Sequence, residues 1–293
     1  MSSYIYAILT LFLWGFADLF YKKGNDDNDK YSHYKTGMFV GIVMGIHAII
    51  FMIVKKINIL DCYLDILKYL PVSLCYIVSM IIGYKGLKYI DLSISSPIQN
   101  TSGIITSLLL CIIFKILPSK LEIIGLITMF IGVLALSIIE YKKDNKVLLR
   151  QIKISAIIFP ILYCLIDGMG TFLDSIYLDQ LELINEDIAL IGYELVFFIY
   201  GIISFIILNR KKEKIVLKRE YNKLFASVFE TFGQFTYVYA IVSHSEITVP
   251  IVSCYAAFSC LLSRLFLKEK LSILQYFSLL FIFIGIVILS FFE

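Results

Sequence analysis

Charge is scarce in this 293-residue chain: Asp, Glu, Lys and Arg together make up 17%, against 59% apolar residues, and the mean hydropathy is +0.86. Soluble domains run nearer 45–50% apolar with about 25% charge. A single core of this size cannot hide the surplus, so a water-soluble fold is excluded and a bilayer is implied. Histidine is scarcer still. His33, His47 and His244 are the whole complement, and their wide separation offers no convergent acid–base group. Gly-x-Ser-x-Gly, His-Glu-x-x-His and Walker-type phosphate loops are all missing, which removes the common hydrolase, zinc-protease and ATPase readings. No enzyme activity and no cofactor are expected. The six cysteines (Cys62, Cys75, Cys111, Cys164, Cys254 and Cys260) form no Cys-x-x-Cys pair, so neither a zinc site nor a disulfide framework is expected. Met1-Ser2-Ser3 lacks the basic region of a cleavable signal, and the apolar run from Tyr4 reads as a first span.

What is present is a series of long apolar runs. A helix needs about 20 mostly apolar residues to cross a hydrocarbon core of about 30 Å. Ten stretches qualify: residues 4–21, 34–54, 67–89, 93–114, 121–139, 154–174, 187–208, 222–243, 247–266 and 272–292. They lack the alternation that a membrane barrel requires, and several connections are short enough to make neighbours antiparallel. The expected fold class is an all-α membrane protein with ten transmembrane helices, multi-pass in the plasma (bacterial inner) membrane. Lysine and arginine divide unevenly, with about 21 of the 26 in odd-numbered connections. The sixth connection is acidic instead, holding Asp174, Asp179, Glu182, Glu186 and Asp187. The positive-inside rule puts the odd connections in the cytoplasm and both termini outside. The basic run 209–223 fits a cytoplasmic loop near anionic lipid, and no nucleic-acid partner is expected.

Residues 83–139 and 236–292 align without a gap at a constant offset of 153, with Tyr84 on Tyr237, Pro97 on Pro250, Lys115 on Lys268, Ser119 on Ser272 and Gly132 on Gly285. Roughly 15 of about 57 positions are identical. The matched Pro, Gly, Lys and Ser carry the most weight, because apolar composition does not force them into register. Laying Ala7 on Ala156 and Leu13 on Leu162 puts Asp18 on Asp167, which extends the correspondence to the first and sixth spans. The chain therefore divides into a first five-helix repeat over 1–140, a cytoplasmic connector over 141–153 and a second five-helix repeat over 154–293. An odd number of helices per half makes the two repeats inverted.

Leu13-Trp14-Gly15 in the first span, the two repeat segments, and Leu265-Phe266-Leu267-Lys268-Glu269-Lys270-Leu271-Ser272 followed by Gly285 resemble the drug/metabolite transporter superfamily in its ten-helix, EamA-type arrangement. The resemblance covers essentially the whole chain. It implies a carrier that moves small organic solutes by alternating access, with the site between the two halves. Its usual orientation has cytoplasmic termini, the reverse of what the charge count implies.

An ionisable side chain at bilayer depth costs at least about 2.5–3.5 kcal/mol unless it faces protein or water. Four carboxylates fall inside the spans: Asp18, Asp167, Glu194 and Glu230. Trp14 lies four residues before Asp18, and Tyr163 four before Asp167, so each shares a helix face with an aromatic ring. Glu230 shares a face with Gln234 and Tyr237. Ring plus carboxylate suits an organic cation. Burial in general favours the neutral form of a carboxyl group, so Glu230 and Asp167 are also candidates for proton coupling. Plainer readings stand beside these: a helix-end ion pair of Asp18 with Lys22, a hydrogen bond from Glu194 to a neighbouring helix, and simple packing for Trp14 and His47. The fourth span is unusually polar, with Gln99 and Asn100 the costliest groups to bury and so candidate lining residues.

The reading that follows is a secondary-active carrier of a small, amine-bearing or amino-acid-like metabolite, coupled to protons or to exchange, acting as a monomer or homodimer. Its rivals are a non-transporting membrane partner or sensor of envelope or lipid metabolism, and a lipid-acting membrane enzyme. A cavity plugged by bulky side chains would favour the first rival.

Overall fold

Every described segment longer than a turn is helical, as a bilayer requires of a chain that must satisfy its backbone groups internally. The computed structural model describes residues 3–24, 29–86, 102–115, 119–148, 158–266 and 271–290. The helices are α1 Ser3–Gly24, α2 Ser32–Lys55, α3 Ile59–Gly86, α4 Ser102–Phe114, α5 Lys120–Leu148, α6 Ile158–Ser175, α7 Glu186–Arg210, α8 Leu217–Ile241, α9 Ser245–Ser253, α10 Tyr255–Phe266 and α11 Ile273–Ser290. A π turn, Ile176–Gln180, continues α6. Among the described residues, six stretches are long and apolar enough to cross a membrane: Ser3–Gly24, Ser32–Lys55, Ile59–Gly83, Ile158–Gln180, Glu186–Arg210 and Ser245–Phe266. Their outward faces carry exposed Ile53, Val54, Leu60, Ile199 and Phe205, apolar surface that only lipid or protein can cover.

Several boundaries move from their sequence-based positions for local reasons. The third helix begins at Ile59 rather than near residue 67, because Asn58 caps it: its side chain accepts from the Leu60 amide, satisfying one of the orphan donors of a helix start. Asp174, expected in a polar connection, lies within α6 and is fully buried. Lys223, expected in a lipid-facing basic loop, is only 3% exposed and bonds Glu220. The ninth span is two helices broken at Cys254, one turn past Pro250. The Cys254 amide bonds Ile251 O, and the thiol takes the Pro250 carbonyl left over. Helix α5 runs on to Leu148, into the stretch read as a connector.

The repeat has a structural basis at matched positions. Ser119 and Glu122 form a reciprocal capping box at the start of α5; Ser272 and Gln275 form the same box at the start of α11. Reciprocal caps of this kind satisfy two orphan donors at once, which explains why serine recurs at this register. Helices α5 and α11 pack together at two glycines. A Cβ on Gly132 would meet Ser278 O at 2.8 Å and Ile282, while one on Gly285 would meet Gly125 O at 2.7 Å and Met129. These contacts map onto each other under the same 153-residue shift. They also show that the two equivalent helices run antiparallel. Helices α2 and α7 likewise cross antiparallel, with Gly41 against Gly201; small residues there let the backbones approach closely. The other pairings mirror one another: α1 packs on α8 as α6 packs on α3, and α1 packs on α9 and α10 as α6 packs on α4.

One alignment is corrected. A Cβ on Gly15 would meet Phe258 and Tyr255 O, and one on Gly168 would meet Ile105 and Ser102 O. These pairs again differ by 153, so Gly15 is the counterpart of Gly168. Asp18 therefore corresponds to Thr171, and Asp167 to Trp14. The direct superposition of Asp18 on Asp167 is one helical turn out of register, because two apolar helices offer too little to distinguish registers four residues apart.

Among the described connections, the first and seventh meet on one face and the second and sixth on the other. On one, Lys35 bonds Asp29 at 2.6 Å and approaches Glu220 at 3.5 Å and Glu213 at 4.0 Å. On the other, Lys55 bonds Asp187 at 2.8 Å, and Tyr239 donates to the same carboxylate.

Candidate functional site

Helices α1, α3, α4, α6, α8 and the α9–α10 break, with Tyr193 of α7 and the start of α2, surround a cavity of about 150 Å³. A cavity of about this size accepts a benzene-sized molecule. Each wall owes its position to a helix crossing described above. Helix α1 lies close to α10 because Gly15 has no side chain, and Trp14 lies against α8 because a Cβ on Gly233 would strike the indole ring. The indole Nε1 then donates to Glu230 O at 3.4 Å, with Tyr237 5.0 Å and Tyr255 5.9 Å from the Trp14 ring.

Seven of the ten residues singled out from sequence line this one cavity: Trp14, Asp18, Tyr163, Asp167, Glu230, Gln234 and Tyr237. Helical spacing explains the convergence, since Glu230, Gln234 and Tyr237 fall on one face of α8. Glu194 sits elsewhere. It is fully buried on α7, with His47 Nδ1 2.7 and 2.9 Å from its two oxygens, and it is absent from the cavity wall. His47 in turn is boxed by the rings of Phe51, Phe232 and Phe235. Gln99 and Asn100 lie outside the described residues, as do Pro97 and positions 267–270 of the 265–272 motif.

The three cavity carboxylates differ in their company. Asp18 accepts from Ser259 at 2.5 Å, with Lys22 one turn further along α1. Asp167 accepts from Ser79 at 3.3 Å, while the Tyr163 hydroxyl donates to Met80 Sδ at 3.6 Å. Glu230, 8% exposed, lines the same cavity as both. Among the described lining residues there is no lysine or arginine. The wall is otherwise aromatic and small, with Tyr76, Tyr193 and Tyr255 joining the rings already named. Such a site attracts positive charge twice over, through carboxylates and through ring faces. No group of three or more His, Cys, Asp or Glu poised to hold a metal occurs among the described residues.

Below the cavity, towards the face of Lys55 and Asp187, a second polar layer closes the bundle. Asp174 accepts hydroxyl hydrogen bonds from Tyr69 and, at 3.1 Å, from Tyr76. Tyr76 also lies 2.9 Å from the Tyr237 hydroxyl and 3.1 Å from Thr171 Oγ1. Tyr76 and Asp174 were not singled out from sequence. A signal existed: Tyr69 and Tyr76 are seven apart, as are Asp167 and Asp174, and seven residues bring a side chain back to the same helix face. In the other direction the lining continues through Tyr21 to Ser32, His33 and Thr36 at the start of α2, the face of the Lys35 network.

Comparison with known proteins agrees with this architecture. A solved crystal structure, titled only as that of a protein, is similar to this chain with a TM-score of 0.70 at 10% identity, covering 99% of this chain and 96% of its own; that likeness concerns the fold alone. No curated protein matches by sequence. The EamA-like transporter family profile matches twice, over residues 1–138 and 154–291, the two halves that the capping boxes and glycine contacts relate. On that double match the chain belongs to the EamA-like transporter family, a family of multi-pass membrane transporters within the drug/metabolite transporter superfamily.

Proposed function

We propose that this protein is a ten-span secondary-active carrier that moves a small organic cation across the plasma membrane by alternating access. The observation that carries the reading is the cavity itself: three carboxylates and several aromatic rings around about 150 Å³, with no lysine or arginine among the described lining residues. A non-transporting membrane partner has no need to keep such a volume open or to gather like charges around it. The cavity reaches the Lys35 network on the basic face and is closed below by the Tyr69–Asp174–Tyr76–Tyr237 layer. With the basic face in the cytoplasm, this is an inward-facing arrangement. The carboxylates serve both solute and proton, so an amine and a proton compete for Glu230, and transport is coupled to protons or to exchange.

The test is uptake into proteoliposomes of a radiolabelled panel of small amines, small carboxylates and neutral sugars, with and without a pH gradient. Amines alone should accumulate, and should do so in response to the gradient or to amine on the opposite side. Accumulation of carboxylates or sugars with none of the amines would overturn the reading.

A further inference from the structure

The layer beneath the cavity holds a carboxylate that the solute does not touch. Asp174 is fully buried and absent from the cavity wall, whereas Tyr76, Thr171 and Tyr237 all line it. Tyr69 is fully buried too, and its hydroxyl donates to Asp174 Oδ1; turning it away would strand a buried donor. Tyr76 is the branch point. Its hydroxyl lies 3.1 Å from Asp174 Oδ2, 3.1 Å from Thr171 Oγ1 and 2.9 Å from the Tyr237 hydroxyl. A tyrosine hydroxyl has one proton to give, so only one of these three oxygens receives it. The other titratable groups around the layer are Cys75 of α3, which faces α6 at Gly170, and Tyr177 of the π turn, 6.0 Å from the Tyr69 ring. Tyr193 of α7 lies 5.4 Å from the Tyr76 ring, and Asp167 stands two turns back along α6. Helix α4 meets α6 through Thr106 and Phe114. None of these groups is a cation.

We infer that Asp174 is a proton site, held apart from the solute and coupled to it through the Tyr76 hydroxyl. With Asp174 ionised, Tyr76 gives its proton to the carboxylate, and its oxygen is left to accept from Tyr237. One proton added to Asp174 Oδ2 reverses the bond: the carboxyl donates to Tyr76, and Tyr76 turns its own proton to Thr171 or Tyr237. Only Asp174 changes charge, and the hydroxyls rotate. In the first state the cavity meets donors that point away from it, towards a negative charge. In the second it meets a neutral layer with a donor turned towards it. A cation is favoured by the first and disfavoured by the second. By linkage, proton and solute each weaken the other's binding by the same factor, so the two exchange for one another. This rests on the organic-cation reading and adds a second proton to the one that competes at Glu230. The same layer closes the bundle towards the face of Lys55 and Asp187, so opening that face brings water to Asp174.

The test counts protons released per amine bound. Protein in nanodiscs is held in weak buffer with a pH-indicator dye, and binding of radiolabelled n-butylamine is measured in parallel between about pH 5 and about pH 9. Butylamine is already charged over that range, so every proton released comes from the protein. The wild type should release protons on binding. Asp174→Asn, whose amide can accept from Tyr69 and donate to Tyr76 as the protonated acid does, should release about one proton fewer per amine. Tyr76→Phe keeps the carboxylate, cuts its link to the cavity and should lose the same proton; it also carries the test if Asp174→Asn does not fold. Counting per bound amine removes any change in affinity from the comparison. The wild-type count retained in either folded variant overturns this inference and leaves the cation reading standing, as does amine binding by the wild type with no proton released. No butylamine binding by folded wild type overturns both.

Discussion

The two halves of this protein are inverted, two-fold-related copies in their scaffold and different in their chemistry. Gly132 and Gly285 make the same contacts on opposite helices, and Ser119 and Ser272 close the same capping box. At the cavity the shared shift of 153 relates Trp14 to Asp167, Asp18 to Thr171, Ile77 to Glu230 and Ile81 to Gln234. Backbone packing is thus preserved where it sets helix crossings, while the pocket takes a carboxylate and an amide from α8 where α3 offers two isoleucines. Packing demands small residues and caps at fixed places, which both copies must meet. A solute makes its demands on one asymmetric cavity, and only one copy of each group is needed there.

The comparison is broken most severely by removing the acidic chemistry of α8. Glu230→Gln is expected to reduce amine uptake in proteoliposomes by about 100-fold, the scale of a lost charge-assisted contact in a site closed to water. Ile77→Val, at the mirrored position, is expected to change it by less than about threefold. Equal losses would show that the cavity uses both halves alike.

A different buried carboxylate should behave as scaffold. Glu194→Ala removes the partner of His47 and is expected to cost about 3 kcal/mol in thermal unfolding, with amine uptake in proteoliposomes unchanged. A lost amine response in folded Glu194→Ala protein would move Glu194 into the transport chemistry. Gly132→Ala and Gly285→Ala should each cost about 1–3 kcal/mol, and by equal amounts, since each new Cβ would meet backbone at 2.7–2.8 Å. Unequal costs would break the mirrored scaffold.

The smallest effect lies at the basic face. Asp29 is partly buried, which works against its charge, but the bonds from Lys35 and the Tyr31 amide hold its carboxyl below the ordinary value of 3.8. A carboxylate held low in the folded state stabilises above its unfolded value, and that contribution is lost as pH falls through the folded value. Asp29→Asn should therefore be less stable than wild type by under about 1 kcal/mol near neutral pH. The difference should fade as pH falls from 3.8 through the lower folded value. A difference independent of pH would remove the ionic role of Asp29.

Much of this was legible before the fold was known, and for physical reasons. Apolar runs of bilayer length locate helices, and helical spacing alone brings Glu230, Gln234 and Tyr237 to one face. Register within the lipid-facing helices was not legible: Asp18 fell on Asp167 because apolar positions exchange freely, and only the Gly15 and Gly168 contacts reveal the shift. Burial depth near helix ends was also hidden. Asp174 and Lys223 read as loop charges because each sits near a polar connection, and their partners Tyr69, Tyr76 and Glu220 could be identified only once the helices were placed. Glu194 could be read as a pocket residue or as a helix-to-helix bond, and it lies bonded to His47 away from the cavity lining.

The account rests on the acidic, aromatic cavity as a binding site for an organic cation, and the most direct test is accumulation of a radiolabelled short primary amine in proteoliposomes, wild type against Glu230→Gln and Asp167→Asn. The account predicts concentrative uptake by the wild type, collapse in Glu230→Gln and altered dependence on the pH gradient in Asp167→Asn. Uptake by Glu230→Gln equal to that of the wild type, with the same dependence on the gradient, would contradict it.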